Sequence, residues 1–484
     1  MKQLITNEFY ELIESEINTE KGLSTVSINK ILNSSTVTAE WKRLKATQGR
    51  YDNSKDSIPV LTRTFRNDDG TVDNESLDIK LNIDYWSKIV NIKAGYTFGN
   101  PIVYKLSKDF YSESELKAKE TWLNKQLRIL DMSDLDNDQG TICGNDGYSV
   151  RINYTDSDGI FRMKTLDSTQ IIFISKELSN IIAPDYVLRY YEQQGKTGIE
   201  YFFEVYGNDK EWKYKKAGKG LNYELVDNPV NPYGICRING FPNNKILMPD
   251  AQRVVNLIDA QDTLMSDLTS ELASIRLAYL ILKNVNIESE AFKTFRKSHA
   301  LLVGAEGSIE FLTKQLSVDA LKWTFETCHK LIFQMADTVD LSAQFLSGQK
   351  TIAEVKTLLL DFETKCKNTE LKYKKASRRS FEILFAGATR ARDESIDANA
   401  LDMFFTRNFP ENEKEETETA IQKKNLGISM PTILADLSYI DSPDEEQTQM
   451  EIEKKENMVN IDDPKIQAIM DRMDAESANK NGGR

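Results

Sequence analysis

The chain has 484 residues and a mass of 55.3 kDa, enough for about three domains with sizeable cores. Its net charge of −13 argues against a sequence-reading DNA binder, because an acidic surface gains no affinity by releasing phosphate counterions. No run approaches the roughly 18 uncharged apolar residues of a membrane helix, no signal-peptide core follows Met1, and Cys143, Cys236, Cys328 and Cys366 form no C-x-x-C, so a cytoplasmic product with reduced thiols is expected.

Residues 1–48 open with an apolar stripe at Ile5, Phe9, Leu12, Ile13 and Ile17, the spacing of one helical face. Gly49 to Pro59 is a polar break. Residues 49–245 read as mixed α and β. A helical stretch from Ile83 to Tyr96 meets a stop at Gly99-Asn100-Pro101. Strand-like runs follow at 102–104, 148–154, 171–174, 186–191 and 201–206, with turn residues between several of them.

Over 246–279 the pattern becomes a long helix starting at Pro249. Val254, Ile258, Met265, Leu268, Leu272 and Ile275 fall on one face, and Asn256, Asp259, Thr263, Ser266, Ser270 and Ser274 among the polar positions. A small β-like module spans 280–317, with strand candidates at 280–282, 301–303 and 309–312. A second helix covers 318–341. A short segment, 342–354, holds Ser347-Gly348-Gln349-Lys350, and a long Lys/Arg-rich helix follows within 355–410. Residues 411–484 carry 18 acids against 9 bases, most of the net charge, and no aromatic residue follows Tyr439. Such a tail has little with which to build a core.

The chemistry-bearing motifs are absent. There is no phosphate-binding G-x-x-x-x-G-K-[ST]; in the nearest approach, Gly195-Lys196-Thr197, Tyr190 stands at the first glycine. Asp134, Asp136 and Asp138 imitate a calcium loop, but Gln139 replaces its glycine and Asn145 its bidentate acid, so a polar turn or helix end is expected. The two histidines, His299 and His329, lie far apart and make no zinc site of the usual kind. No catalytic, metal or cofactor residues are assigned.

Four stretches in this order resemble the portal proteins of tailed bacteriophages, in particular those of long-tailed phages of Gram-positive bacteria. They are Asn82 to Tyr104 (NIDYWSKIVNIKAGYTFGNPIVY), Val255 to Leu282 with its Leu-Ile-Asp-Ala, Phe345 to Lys356 (FLSGQKTIAEVK), and Phe405 to Pro410 with Gly427-Ile428-Ser429. Their order over some 350 residues carries the resemblance; the family loop often follows Ser-Gly with small apolar residues, where Gln349-Lys350 stand here.

The resemblance implies an α+β portal fold assembled as a ring, typically of twelve subunits, at one capsid vertex. It has no enzymatic activity and passes double-stranded DNA without reading it. The implied partners are the terminase large subunit, the major capsid protein and scaffold, and the head-tail connector or adaptor. In these terms 49–245 and 355–410 form the wing, 246–279 and 318–341 the two-helix stem, 280–317 a small α/β clip, 342–354 the tunnel loop, and 411–484 a helical crown and acidic tail. The channel candidates are Gln344, Ser347, Gly348, Gln349 and Lys350 in the tunnel loop and Asp259, Asp262, Asp267 and Glu271 on the stem; Lys293, Arg296 and Lys297 are the docking candidates of the clip. The competing reading is a structural head or connector adaptor without a DNA channel.

Overall fold

The computed structural model describes residues 7–453, excepting 18, 20–21, 66–70, 72–76, 177–179, 196–197, 217, 219–221, 276–278, 284–307, 313–317, 341–358, 392–393, 409–412, 436, 438–439 and 441–445. It divides into two units, Met1–Asn408 and Phe409–Arg484.

In the first unit a five-stranded antiparallel sheet has the order β4-β5-β6-β7-β8, from Ile171–Ile174, Tyr186–Gln194, Ile199–Tyr206, Glu211–Lys216 and Glu224–Asp227. The two-residue period of a strand turns Leu188, Phe203, Val205, Trp212 and Tyr214 to one face. Helices α1 (Asn7–Ile17) and α2 (Thr25–Leu32) contribute Phe9, Ile13, Ile28 and Ile31 to the same core, which accounts for the apolar stripe at the N-terminus. Ser24 caps α2, and Ser34 caps α3 (Ser35–Tyr51).

A three-stranded sheet, β3-β2-β9, comprises Phe161–Leu166, Tyr148–Thr155 and Ile238–Pro242. Tyr148 to Asn153 are buried on both faces of β2. Packed around it are α7 (Met132–Asp146) and the 31-residue helix α10 (Leu360–Arg390). Asp134, Asp136 and Asp138 therefore lie within helix α7, not in a cation-binding loop. Asp136 is buried and is held by Tyr104, Tyr373 and Arg151 at 2.6, 2.7 and 3.0 Å.

Helix α5 (Tyr85–Phe98) ends at Gly99, as the Gly-Asn-Pro signal predicts. Strand β1 (Val103–Leu106) pairs antiparallel with β12 (Leu401–Phe404), which returns the chain beside α5. There Phe405 packs on Phe98 and Tyr373, and Arg407 pairs with Glu363 and Glu370, both at 2.9 Å. The short helix α4 (Pro59–Thr62) and α6 (Glu113–Ile129) complete the helices before residue 250. Ser112 and Glu115 form a capping box at the start of α6.

Two further helices, α8 (Val255–Ile275) and α9 (Val318–Met335), flank an antiparallel pair, β10 (Tyr279–Lys283) with β11 (Ser308–Leu312). The Gln261 side chain reaches Phe325 O, and Ile258 shares a core with Ile332, so the helices run antiparallel. In the second unit the described elements include α11 (Glu413–Asn425), α12 (Met430–Ala435) and a helical stretch over 446–453.

Two boundaries differ from the sequence expectation. Helical structure begins at Gln252, not Pro249, because Asp250 is drawn inward, its N–H on Gly144 O at 2.9 Å. Helix α9 ends at Met335, not at 341. Asp337 takes a left-handed φ of 48°, and Thr338 N–H returns to Phe333 O at 3.0 Å.

Candidate functional site at helices α8 and α9

Part of the polar side of α8 is consumed inside the chain. Residues 77–83 lie along the helix, and Asp84 turns the chain into α5 with a left-handed φ of 59°. The N–H groups of Ile83, Leu81 and Ile79 donate to Asp262 Oδ1, Ser266 Oγ and Ser270 Oγ at 3.0, 2.9 and 2.8 Å. The match is geometric: four helical residues rise about 6 Å, and two extended residues advance about 6.6 Å. Alternate amides of an extended chain therefore meet every fourth side chain of a helix.

Asp262 is 1% exposed and leaves the channel-facing set; it is polar because it satisfies a backbone amide. Its other oxygen is buried with no hydrogen-bond partner among the described residues. Burial pushes its carboxyl up to about 6, against the opposing pull of the Ile83 amide and Arg50. Asp259 is held by Arg50 in a two-pronged pair at 2.9 and 3.0 Å. Asp267 meets Arg63 at 2.7 Å while keeping 55% of its side chain exposed, and Glu271 is half-buried. Arg63 also pairs with Asp78, closing the start of the extended segment onto α8.

What α8 leaves open is a stripe of Asn256, Ala260, Thr263 and Asp267. The open side of α9 carries Lys322, Trp323, Glu326 and Lys330, and Trp323 is 68% exposed.

Just before α8, Lys93 of α5 meets Asp250 at 3.0 Å, and Lys365 of α10 lies 3.6 Å from the same oxygen. Asn243 donates to that oxygen and accepts from Lys93. Burial alone would raise the Asp250 carboxyl; Lys93 and Lys365 outweigh it and hold it below the usual range. Lys365 also donates to Ala336 O at 2.6 Å, at the end of α9. One buried cluster thus ties together the start of α8, the end of α9 and helix α10.

The remaining basic run on α10 is laced with acids. Lys374 pairs with Glu370 and Arg379 with Glu382, while Arg378 donates to Leu401 O. The tunnel-loop candidates Gln344, Ser347, Gly348, Gln349 and Lys350 and the clip candidates Lys293, Arg296 and Lys297 lie outside the described residues. Sequence reasoning missed Arg50, Arg63, Lys93, Asp250 and the ring contacts of His329. Their partners lie mostly 150 to 250 positions away, and no local spacing signals such pairs. Among the described residues no group of three or more His, Cys, Asp or Glu side chains is arranged to hold a metal, and no helix is long and apolar enough to cross a membrane.

Two antiparallel helices bracketing a small sheet, on a mixed α/β body, agree with the class the sequence resembles. The family model described as phage portal protein, SPP1 Gp6-like, matches residues 23–459, and the chain belongs to that family of phage portal proteins. The portal protein of Bacillus phage SPP1 is 23% identical over 426 residues, which cover 84% of this chain and 82% of that protein. The family is structural, not enzymatic.

Proposed function

We propose that this portal protein assembles into a closed ring at one vertex of the virion capsid, after synthesis in the host cytoplasm, and that double-stranded DNA is packaged and ejected through its centre. The observation that supports this best is the antiparallel pair α8 and α9 around β10–β11 in a chain of the portal family. On this reading 246–279 and 318–341 are the stem, 280–317 the clip, 342–354 the tunnel loop, 49–245 and 355–410 the wing, and 411–484 the crown and tail. The clip, through Lys293, Arg296 and Lys297, meets the terminase large subunit and later the head-tail connector. The wing faces the major capsid protein and scaffold.

The chemistry supports the division of labour. Asn256, Ala260 and Thr263 offer sliding DNA no strong phosphate contact, and Asp259, Asp267 and Glu271 repel phosphate wherever they face it. Gln344, Ser347, Gly348, Gln349 and Lys350 supply the constriction, with Lys350 touching phosphates transiently. The exposed Trp323 suits burial against a second copy. Native mass spectrometry with negative-stain imaging tests the assembly: twelve copies come to about 660 kDa. A monomer that persists with scaffold and capsid protein present would overturn the ring.

A further inference from the structure

The residues that end α9 are tied across the fold by a single histidine. His329 Nε2 meets Asp340 Oδ2 at 2.9 Å, and His329 Nδ1 meets the Tyr85 hydroxyl at 2.7 Å. Tyr85 is the first residue of α5; Asp340 lies three residues past the left-handed Asp337. The imidazole stands among Tyr85, Phe333 and Phe325, with centroids 5.6, 5.1 and 6.4 Å away. Tyr85 is buried, whereas the His329 and Asp340 side chains are 30% and 28% exposed. The arrangement therefore has one dry end and one wet end.

The chemistry fixes where the hydrogens sit. Burial, with Asp262 and Asp340 adding to it, pushes the Tyr85 phenol up to about 12, so it stays protonated and donates to Nδ1. In the neutral imidazole the hydrogen then sits on Nε2 and is donated to Asp340. The carboxylate acceptor makes the Asp340 contact a charge-assisted hydrogen bond, roughly twice as strong as one between neutral groups. The other charged or titratable groups around this cluster are Lys88 of α5, whose ammonium lies 5.3 Å from the Phe333 ring, Asp262 of α8, Cys328 of α9, and Lys365 of α10 on Ala336 O.

We propose that Tyr85, His329 and Asp340 form a positioning clasp that sets the direction in which the chain leaves α9 relative to α5. The functional part rests on the conduit reading above, in which the tunnel loop begins two residues beyond Asp340. His329 touches no DNA in this scheme and acts through Asp340.

The test uses full-length assembled rings, with hydrogen–deuterium exchange of residues 336–340 and DNA packaging measured for each variant and for wild type under the same conditions. D340A and H329F are expected to speed corrected exchange over 336–340 about ten-fold and to lower packaging at unchanged ring mass. D340N keeps an acceptor for His329 and should restore most of the protection. Wild-type exchange in both D340A and H329F would overturn the clasp. Altered exchange with wild-type packaging would overturn the functional part alone. Failure of the ring to form in wild type would instead count against the conduit reading.

Discussion

Helices α8 and α9 run side by side and are both amphipathic, yet their polar faces do different work. On α8, Asp262, Ser266 and Ser270 are spent on the backbone amides of residues 79–83, and the acids near them are matched by Arg50 and Arg63. On α9, Lys322, Trp323, Glu326 and Lys330 remain open. A polar stripe in a sequence does not say whether it meets solvent or an extended segment of the same chain. The decisive quantity is the number of backbone donors that need a partner nearby.

The largest expected effect lies where both helices meet α5 and α10. Asp250→Ala leaves Lys93 buried beside Asn243 without its counter-charge, and such removals cost about 3–5 kcal/mol. A denaturant midpoint on the isolated chain should fall accordingly; an unchanged midpoint would mean that the cluster does not hold these elements together. Next comes the open side of α9. Trp323→Ala should leave the stability of the single chain within about 0.5 kcal/mol. It should weaken association by about 2 kcal/mol or more if the side chain is an interface anchor. Sedimentation of the variant against wild type separates the two.

The contrast within α8 itself gives a smaller effect. Ser266→Ala strips the half-buried Leu81 N–H of its acceptor and should cost about 1 kcal/mol. Thr263→Ala, three residues earlier on the open stripe, should stay within about 0.5 kcal/mol. Equal losses at the two positions, measured by chemical denaturation, would erase the distinction between the faces.

Much of the architecture was legible where a local period dominates. The strands at 171–174, 186–191 and 201–206, the stripe of α1 and the stop after α5 all depend on neighbours within a few residues. The misses have physical causes. Strand β9, Ile-Asn-Gly-Phe-Pro, is not among the strand-like runs of the sequence; it is a strand because its backbone completes an edge of β2. Helix α7 carries Gly140, Gly144 and four aspartates, a poor helix by propensity. Its glycines serve packing: a Cβ on Gly140 would lie 2.3 Å from the Phe98 ring, and one on Gly144 2.6 Å from Asp250 Oδ2. The length and phase of α8 were readable, but the purpose of its polar residues was not. That purpose depends on a segment about 180 positions earlier in the chain.

The smallest effect is also the most specific to this arrangement. Asp262 presents one oxygen to Ile83 N–H and buries the other without a partner among the described residues, so its charge gains little from being there. Its carboxyl is raised to about 6 from an ordinary value of 3.8. The folded chain therefore binds this proton more readily than the unfolded chain between those values. Its contribution to stability is full below pH 4, declines as pH rises toward 6, and is flat above. Asp262→Asn keeps the acceptor for Ile83 and removes the buried charge. It should gain about 1 kcal/mol at pH 7.5 relative to wild type and flatten the slope between pH 4 and 6. If the variant instead lost stability at pH 7.5 in denaturant titrations, the carboxylate would be contributing a favourable charge interaction at this position, and α8 would present an acidic face here after all.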